Sequence, residues 1–178
     1  RATALGSVSL ASGLRATAVG SRSTAGNESA TALGAFSNAS GKSSVALGDS
    51  AKSSAQSAVA IGAVAVANTS DSIAIGSSAN ISGSAGKGIA IGYKAKSVEG
   101  AIAIGENASA ESTVVSGVAW ISVAVGAESI AKGRDAGAFG TKAHAEADFA
   151  TAVGNYANAS ARNATAVGNA ASASGVGS

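Results

Sequence analysis

Apolar and small or polar residues alternate along short stretches of the chain, and each stretch closes on a glycine. Ser57–Gly62, which reads Ser-Ala-Val-Ala-Ile-Gly, is representative. The closing glycines of twelve such stretches lie at positions 6, 20, 34, 48, 62, 76, 92, 105, 126, 140, 154 and 168. Eight of the eleven intervals are 14 residues, and the others are 16, 13 and 21. A fixed period along nearly the whole chain predicts a solenoid with one coil per repeat.

Each repeat predicts two short β-strands. Counted from the repeat glycine as zero, position −1 is always large and apolar, −2 is always Ala, and −3 is Thr, Val or Ile except at Gly137. Position +3 is always Ala or Ser, and so is +5 except at Ile81. Alternation of this kind is typical of strands, and the 3.6-residue period of a helix is missing. We therefore expect strands at −4 to −1 and +2 to +6, a bend at the glycine, and a closing turn at +6 to +9.

The charged residues indicate which positions face inward. No Lys, Arg, Asp or Glu occupies −3, −2, −1, +3 or +5, whereas charges occur at +1, +2, +4 and +6 to +9. Burying an unpaired charge is costly, so the charge-free positions belong inside. We expect −3 and −1 to point into the coil, facing +3 and +5, so that large residues meet small ones. The reverse assignment of −2 and −1 is the alternative.

The alanine at −2 is the informative position, because this assignment places it on the outer face of its strand. A stripe of small residues there permits close approach of another sheet, and self-association would stabilise a roll too narrow to bury much apolar area. We therefore predict a subunit interface in which three chains wind around a common axis, with two-fold packing as the alternative. The predicted interface residues are Ala4, Ala18, Ala32, Ala46, Ala60, Ala74, Ala90, Ala103, Ala124, Ala138, Ala152 and Ala166.

Three coils, at 77–92, 93–105 and 106–126, break the 14-residue rhythm. The longest interruption, at 111–122, contains the only tryptophan of the chain. Val114, Val115, Trp120 and Ile121 are candidate ligand-binding residues there, because exposed aromatic anchors often provide binding energy. The alternative is that the loop folds back and covers a core edge or a neighbouring subunit, because an exposed patch this apolar would be a liability.

Composition narrows the class of protein. The 178 residues are 46% hydrophobic but only 3% aromatic, and we expect residues 1–178 to form a single β-roll. The chain has no cysteine, which excludes disulfides and thiolate metal sites. A net charge of +2 gives too weak a field to favour nucleic acid. No apolar stretch is long enough to span a bilayer. The chain starts inside a repeat, so we expect it to be a fragment without its own anchor or signal peptide.

No arrangement of residues predicts catalysis, a cofactor or a metal site. The single histidine, His144, occupies an outward +4 position without a catalytic partner. Glu146 and Asp148 share a turn with Lys142, which indicates a solvated loop rather than an acid–base pair. The glycine-rich segments do not open helices, so they do not form a phosphate-binding loop. The calcium-binding nonapeptide and the hexapeptide repeat are both missing.

The repeated Ser-Val-Ala-Leu-Gly, Ala-Val-Ala-Ile-Gly and Ser-Ile-Ala-Ile-Gly segments resemble the head repeats of YadA-like trimeric autotransporter adhesins. The resemblance covers essentially the whole chain. It implies an all-β, left-handed parallel β-roll of about twelve coils, assembled as a homotrimer on the bacterial outer surface. In that family a coiled-coil stalk and a membrane-anchoring barrel carry the head, and we expect neither of them within these 178 residues. The Thr at −3 in several repeats and the loop at 111–122 depart from the family pattern.

The resemblance implies an adhesin head that binds host matrix or cell-surface proteins without catalysis. Many weak contacts repeated over twelve coils and three chains would then add up by multivalency. The alternative is a passive spacer in the adhesin fibre, with ligand binding elsewhere in the full protein. An ice-binding solenoid is disfavoured because Thr at −3 is interrupted from Val45 through Val123.

Overall fold

The computed structural model describes residues 1–84, 86–115 and 118–178, and for 113–115 and 118–119 it describes the backbone only. The described residues form strands and turns, and none of their segments is a helix with the length and hydrophobicity to cross a membrane. They pack as two compact units, Arg1–Lys87 and Gly88–Ser178. The prediction of one domain over 1–178 stays a prediction. The all-β parallel solenoid of about twelve coils is confirmed.

The first unit alternates two kinds of strand, which form two parallel sheets. The A sheet consists of the strands that precede each repeat glycine: β1 (Thr3–Leu5), β3 (Thr17–Val19), β5 (Thr31–Leu33), β7 (Val45–Leu47), β9 (Val59–Ile61) and β11 (Ile73–Ile75). The B sheet consists of the strands that follow it: β2 (Leu10–Ala11), β4 (Thr24–Ala25), β6 (Asn38–Ala39), β8 (Lys52–Ser53), β10 (Val66–Ala67) and β12 (Asn80–Ser82).

The second unit repeats this arrangement and adds one hairpin. Its A strands are β13 (Ile89–Ile91), β15 (Ile102–Ile104), β19 (Val123–Val125), β21 (Gly137–Phe139), β23 (Thr151–Val153) and β25 (Thr165–Val167). Its B strands are β14 (Lys96–Val98), β16 (Ser109–Glu111), β20 (Ile130–Ala131), β22 (His144–Ala145), β24 (Asn158–Ala159) and β26 (Ser172–Ala173). The insertion between β16 and β19 is the antiparallel hairpin of β17 (Thr113–Val115) and β18 (Val118–Trp120).

Strand register follows the sequence period. Val59 lies opposite Val45 on one side and Ile73 on the other, so equivalent positions of successive coils form ladders. Backbone hydrogen bonds continue this ladder through the turns, where the amide of Gly62 donates to the carbonyl of Leu47 at 2.8 Å. Every coil therefore stacks its like residues, and each position of the repeat becomes a row along the unit.

The interior of each unit is built almost entirely of alanine and serine at −4, −2, +3 and +5. The inward orientation of +3 and +5 is confirmed, for example at Ala65 and Ala67, which solvent does not reach. Ile81 is the one large aliphatic side chain that is fully buried among the described residues, and it lies in the coil that carries two extra residues. A core of one- to two-atom side chains implies two sheets that approach each other more closely than sheets separated by larger residues.

The predicted orientation of the A strands is wrong. The alanine at −2 points into the coil, and the residues at −3 and −1 point out. From Ala18 to Ala152 the −2 alanines are 0% exposed in the single chain, and Ala166 is 3% exposed; only Ala4, in the first coil, is exposed. Side chains with almost no surface in the single chain cannot form an interface with another chain. This excludes the following predicted interface residues: Ala18, Ala32, Ala46, Ala60, Ala74, Ala90, Ala103, Ala124, Ala138, Ala152 and Ala166.

Buried serines replace alanine at several interior positions, and their hydroxyls are satisfied by backbone carbonyls. Ser23 and Ser37 at +3 each donate to the carbonyl of the preceding repeat glycine, at 2.9 and 2.8 Å. Ser53 at +5 donates to the carbonyl of Ala58 at 2.8 Å. Serine is close in volume to alanine and can bond locally, so the two residues exchange freely along the interior rows.

The first turn of each coil, which leads from the A strand to the B strand, requires glycine for two reasons that are seen at Gly62. Its φ is 128°, a conformation that residues with a Cβ avoid. A Cβ built there would lie 2.5 Å from the carbonyl oxygen of Gly76 in the next coil. The close stacking of turns on turns thus explains why this position of the repeat does not vary.

Val64, two residues after this glycine, holds a left-handed backbone with φ of 58°. Such a conformation costs an L-residue about 1–2 kcal/mol and is least suited to a β-branched side chain, whereas asparagine tolerates it. Val64→Asn is therefore expected to stabilise the chain by about 1 kcal/mol, read from thermal unfolding. Val66→Asn, the matched change in strand β10, is expected to give no gain, and a Val64→Asn protein that melts at a lower temperature would contradict the prediction.

Candidate functional site

The outer face of the A sheet is an exposed apolar surface, which we call the A-face. It consists of the side chains at −3 and −1 of each A strand, and none of them is charged in any repeat. The −1 residues are half-buried to exposed throughout, with Leu33 at 43%. In the first unit the A-face from the second coil onward comprises Thr17, Val19, Thr31, Leu33, Val45, Leu47, Val59, Ile61, Ile73 and Ile75. An uncharged surface with a large apolar side chain in every coil is typical of an interface rather than of a solvated face.

The outer face of the B sheet, the B-face, is mostly polar. It consists of positions +4 and +6, and the prediction that +4 points outward is confirmed at Lys52, Asn80 and Lys96. Polar partners bridge successive coils on this face: Lys96 Nζ lies 3.0 Å from Glu111 Oε1, and Ser54 donates to Asn68 at 2.7 Å. The two faces of each unit therefore differ in chemistry, one suited to apolar packing and the other to water or a polar ligand.

The candidate ligand residues of the 111–122 insertion are placed as follows. Trp120 is half-buried and ends strand β18, and Ile121, just beyond it, is 48% exposed. The side chains of Val114 and Val115 lie outside the described residues. The base of the hairpin is closed by Ser122, whose amide donates to Ser112 Oγ at 3.0 Å and whose hydroxyl donates to the carbonyl of Glu111 at 2.9 Å. The insertion is thus joined to the solenoid by specific hydrogen bonds at its base.

Trp120 contacts the Phe149 cluster, which consists of Phe149, Arg134 and Arg162. These residues lie on the second turn of the coils, the closing turn at +6 to +9 that leads from the B strand to the next A strand. The ring of Trp120 meets Phe149 edge to face at 5.9 Å, and the guanidinium groups of Arg134 and Arg162 lie 5.7 and 5.8 Å from the centre of the Phe149 ring. Edge-to-face and cation–π contacts of this kind stabilise by roughly 0.5–1.5 kcal/mol each. The indole of Trp120 therefore packs on the solenoid edge. The ligand-binding role of Val114, Val115, Trp120 and Ile121 stays a prediction.

Each unit carries a charged ladder on its second turn. In the first unit Glu28 lies 2.7 Å from Arg15 and 2.9 Å from Lys42, so one carboxylate joins three successive coils. In the second unit Asp148 accepts hydrogen bonds from the Arg134 amide at 3.0 Å and from its Nε at 2.8 Å. Hydrogen bonds from Lys42 and then Arg15 lower the pKa of Glu28, and those from Arg134 lower the pKa of Asp148.

These two carboxylates predict a loss of stability in acid. Folding lowers the pKa of both carboxyl groups from their ordinary values of 4.5 for Glu28 and 3.8 for Asp148. The ion pairs therefore stabilise the folded chain fully when the pH is above these ordinary pKa values, and the contribution disappears as the pH falls through the lowered pKa values. We expect the melting temperature to fall between about pH 4.5 and pH 2. In the double variant Glu28→Gln, Asp148→Asn the acid fall is expected to be shallower. Glu106→Gln is the control, and an equally steep fall in the double variant would contradict the assignment.

His144 lies on the B-face in strand β22, half-buried, with Nδ1 3.9 Å from Glu146 Oε1. This long contact on an exposed surface gives neither a general base nor a ligand set. Among the described residues no group of three His, Cys, Asp or Glu side chains is placed to hold a metal ion.

The sequence did not predict two features of the surface, the A-face and the Phe149 cluster. The A-face was assigned to the interior, although small residues at −4 and −2 matched those at +3 and +5 and indicated a uniformly narrow core. The Phe149 cluster was not predicted, although Arg134, Asp148 and Arg162 are spaced by 14 residues and therefore stack in successive coils. The approach of Trp120 had no signal, because the insertion lies outside the repeat register.

The chain is similar to known proteins in both sequence and fold. A family profile described as "YadA head domain repeat (2 copies)" matches residues 1–23, 25–51, 53–79, 99–113, 131–157 and 159–178. Among solved structures, the crystal structure of the collagen-binding domain of the Yersinia adhesin YadA matches with a TM-score of 0.60 and 25% identity, over 86% of this chain and 80% of that one. A search of curated protein sequences gives no significant match. The profile covers well over half of the residues, and the resemblance is confirmed: the chain belongs to the YadA head-domain family.

Proposed function

We propose that this chain is part of the head of a trimeric adhesin on a bacterial surface, and that it binds a host matrix protein or cell-surface ligand. An adhesin-type function agrees with the family and with the likeness to a domain named for collagen binding. The observation that carries the proposal is the contrast between the two faces. The A-face is uncharged and mostly apolar, with threonine as its polar residue, whereas the B-face carries lysine, asparagine and serine at many of its positions.

The proposed trimer is a homotrimer that forms through the A-face. Every coil presents −3 and −1 side chains to solvent in the single chain, and interfaces between identical subunits are rich in apolar residues and poor in charge at their centre. Rows that repeat at the strand spacing of about 4.8 Å match another copy of the same rows better than an unrelated surface. Burial of these rows leaves the B-face and both turns for a ligand, and no enzyme activity, cofactor or nucleic acid is part of the proposal.

The test is binding of the purified chain to immobilised collagen, with its association state measured in the same preparation. We expect saturable binding by the trimer and at least about tenfold weaker binding by a monomeric variant, because linked weak sites gain affinity by multivalency. Deletion of hairpin residues 113–120 separates its contribution from that of the repeats. A trimer without affinity for collagen or for a panel of other matrix proteins would contradict the adhesive role of this segment.

The second candidate function is a passive spacer in the adhesin fibre. It is favoured by the near identity of successive coils, which stack like on like with parallel register. Deletion of one whole coil, residues 35–48, removes 14 residues and retains the repeat. A spacer predicts that collagen binding by the full-length adhesin is unchanged by this deletion and also by removal of the hairpin, whereas a ligand-binding head predicts a loss in one of the two.

A further inference from the structure

Strand β21 departs from the rest of the A-face at two positions at once. Gly137 is the only glycine at −3, and Phe139 is the only aromatic residue at −1. A Cβ built on Gly137 would lie 2.8 Å from Cε2 of Phe139 and within 3.7 Å of two further ring atoms. The phenyl ring therefore lies across Gly137 on the outer face, and Phe139 is still 41% exposed. One ring thus occupies the place that two side chains, at −3 and −1, fill in the other coils.

The glycine serves the ring and not the backbone. Gly137 lies within strand β21, its amide donates to the carbonyl of Ala150 at 2.9 Å, and its φ is not positive, unlike that of the repeat glycines. Any residue suits this conformation, and glycine within a strand weakens it. The structure shows what compensates for this loss of strand stability: without a side chain, Gly137 leaves space on the outer face that the ring of Phe139 fills.

We propose that Phe139, seated over Gly137, sets the axial register in which copies of this chain associate. The inference rests on the trimer proposed above. The other rows of the A-face nearly repeat from coil to coil; strands β23 and β25, for example, both read Thr-Ala-Val. A displacement by one coil, about 4.8 Å, would therefore present almost the same surface to a partner. Rows of this kind specify association but define its register weakly.

The aromatic layer removes this degeneracy. In register, the three Phe139 rings lie at one level, where aromatic contacts are available among them. If one of the three chains is shifted by one coil, its ring would instead meet Val125 or Val153 of the other two chains, and neither of those strands has a glycine at −3. The ring would then overlap with the side chains at −3 and −1 of those strands, and overpacking of this kind is destabilising. A single exceptional layer in a repetitive interface is a known means of fixing register.

Disulfide trapping tests the register, because the chain has no cysteine of its own. Two single variants, Val153→Cys and Val167→Cys, are prepared with tags of different mass, refolded together and oxidised. Disulfides between two copies of the same variant report association in register, and disulfides between the two variants report a shift of one coil. The same pair is then made in a Gly137→Thr, Phe139→Val background, which gives β21 the Thr-Ala-Val sequence of β23 and β25. Phe139→Leu, with Gly137 kept, is a second background.

With Phe139 present, we expect few disulfides between the two variants. Their share should rise about tenfold in the Thr-Ala-Val background, because the loss of one aromatic contact changes an equilibrium by about this factor. Circular dichroism and sedimentation check that this background is folded and trimeric. An equal share of shifted disulfides in both backgrounds overturns the register role but leaves the trimer in place. A monomer in sedimentation, with neither kind of disulfide, overturns the trimer and the register role together.

Discussion

Replacement of Ala60 by leucine is expected to destabilise the chain by about 3 kcal/mol, at the upper end of the cost of overpacking. Ala60 is 0% exposed and lies in register between Ala46 and Ala74, which are equally buried. The residues of the B sheet that face it are also alanine and serine, so no larger neighbour can be exchanged for a smaller one. The leucine side chain has to force the two sheets apart, which strains the short turns that join them.

The measurement for Ala60→Leu is the midpoint of urea unfolding at one fixed protein concentration, because association would make stability depend on concentration. Val66→Leu is the matched control, since Val66 lies on the outer side of strand β10 in the same region and a surface change is expected to stay within about 0.5 kcal/mol. An Ala60→Leu protein with the wild-type midpoint would show that position −2 is not confined, and the description of the core would be wrong.

The period, the strands and the glycine turns were predictable from the sequence because each depends on local geometry. Alternation identifies strands whichever face is buried, and the invariant glycine at Gly62 follows from backbone conformation and close stacking of coils. The inward direction of +3 and +5 was also predictable, because small residues alternate there with charged or polar ones such as Lys52. In this part of the repeat, one face of the strand contacts solvent and the other is buried.

The orientation of the A strands was not predictable by the same argument, because both of their faces lack charge. Ala60 and Ile61 are equally apolar by that criterion, and charge avoidance cannot separate them. Pairing large residues with small ones favoured the wrong face. The deciding factor is the length of the turns: four or five residues between the strands of a regular coil allow only a thin interior, which alanine fills and isoleucine does not. Large side chains are therefore directed outward, where a single chain leaves them exposed.

The Phe149 cluster shows a second limit of the sequence. The approach of Arg134 and Arg162 to Phe149 follows from the 14-residue spacing, once turn residues are aligned by coil. Trp120 enters from a hairpin of different length, and its contact with Phe149 depends on the path of that insertion. Repeat periodicity predicts contacts within the repeat, whereas an insertion has to be placed by its own tertiary contacts.

Ile61→Glu is expected to dissociate the proposed trimer and to leave the individual chain folded. Ile61 lies on the A-face and is only partly buried in the single chain, so a glutamate there keeps its hydration in the monomer. In the trimer, three carboxylates would be buried close together without cationic partners, because no −3 or −1 position of any repeat is basic. Burying an unpaired charge costs several kcal/mol, so the association constant should fall by at least about a thousandfold.

Sedimentation equilibrium measures this directly, with a chain mass of 16.5 kDa for the monomer and three times that value for the trimer. Val66→Glu places the same charge on the B-face and is expected to remain trimeric with an unchanged circular dichroism spectrum. The single substitution also tests the two faces separately, because loss of the proposed matrix binding by Ile61→Glu alone would follow from lost multivalency rather than from a lost contact. A wild-type chain that sediments as a monomer, or an Ile61→Glu chain that stays trimeric, would show that the A-face is not the surface through which copies associate.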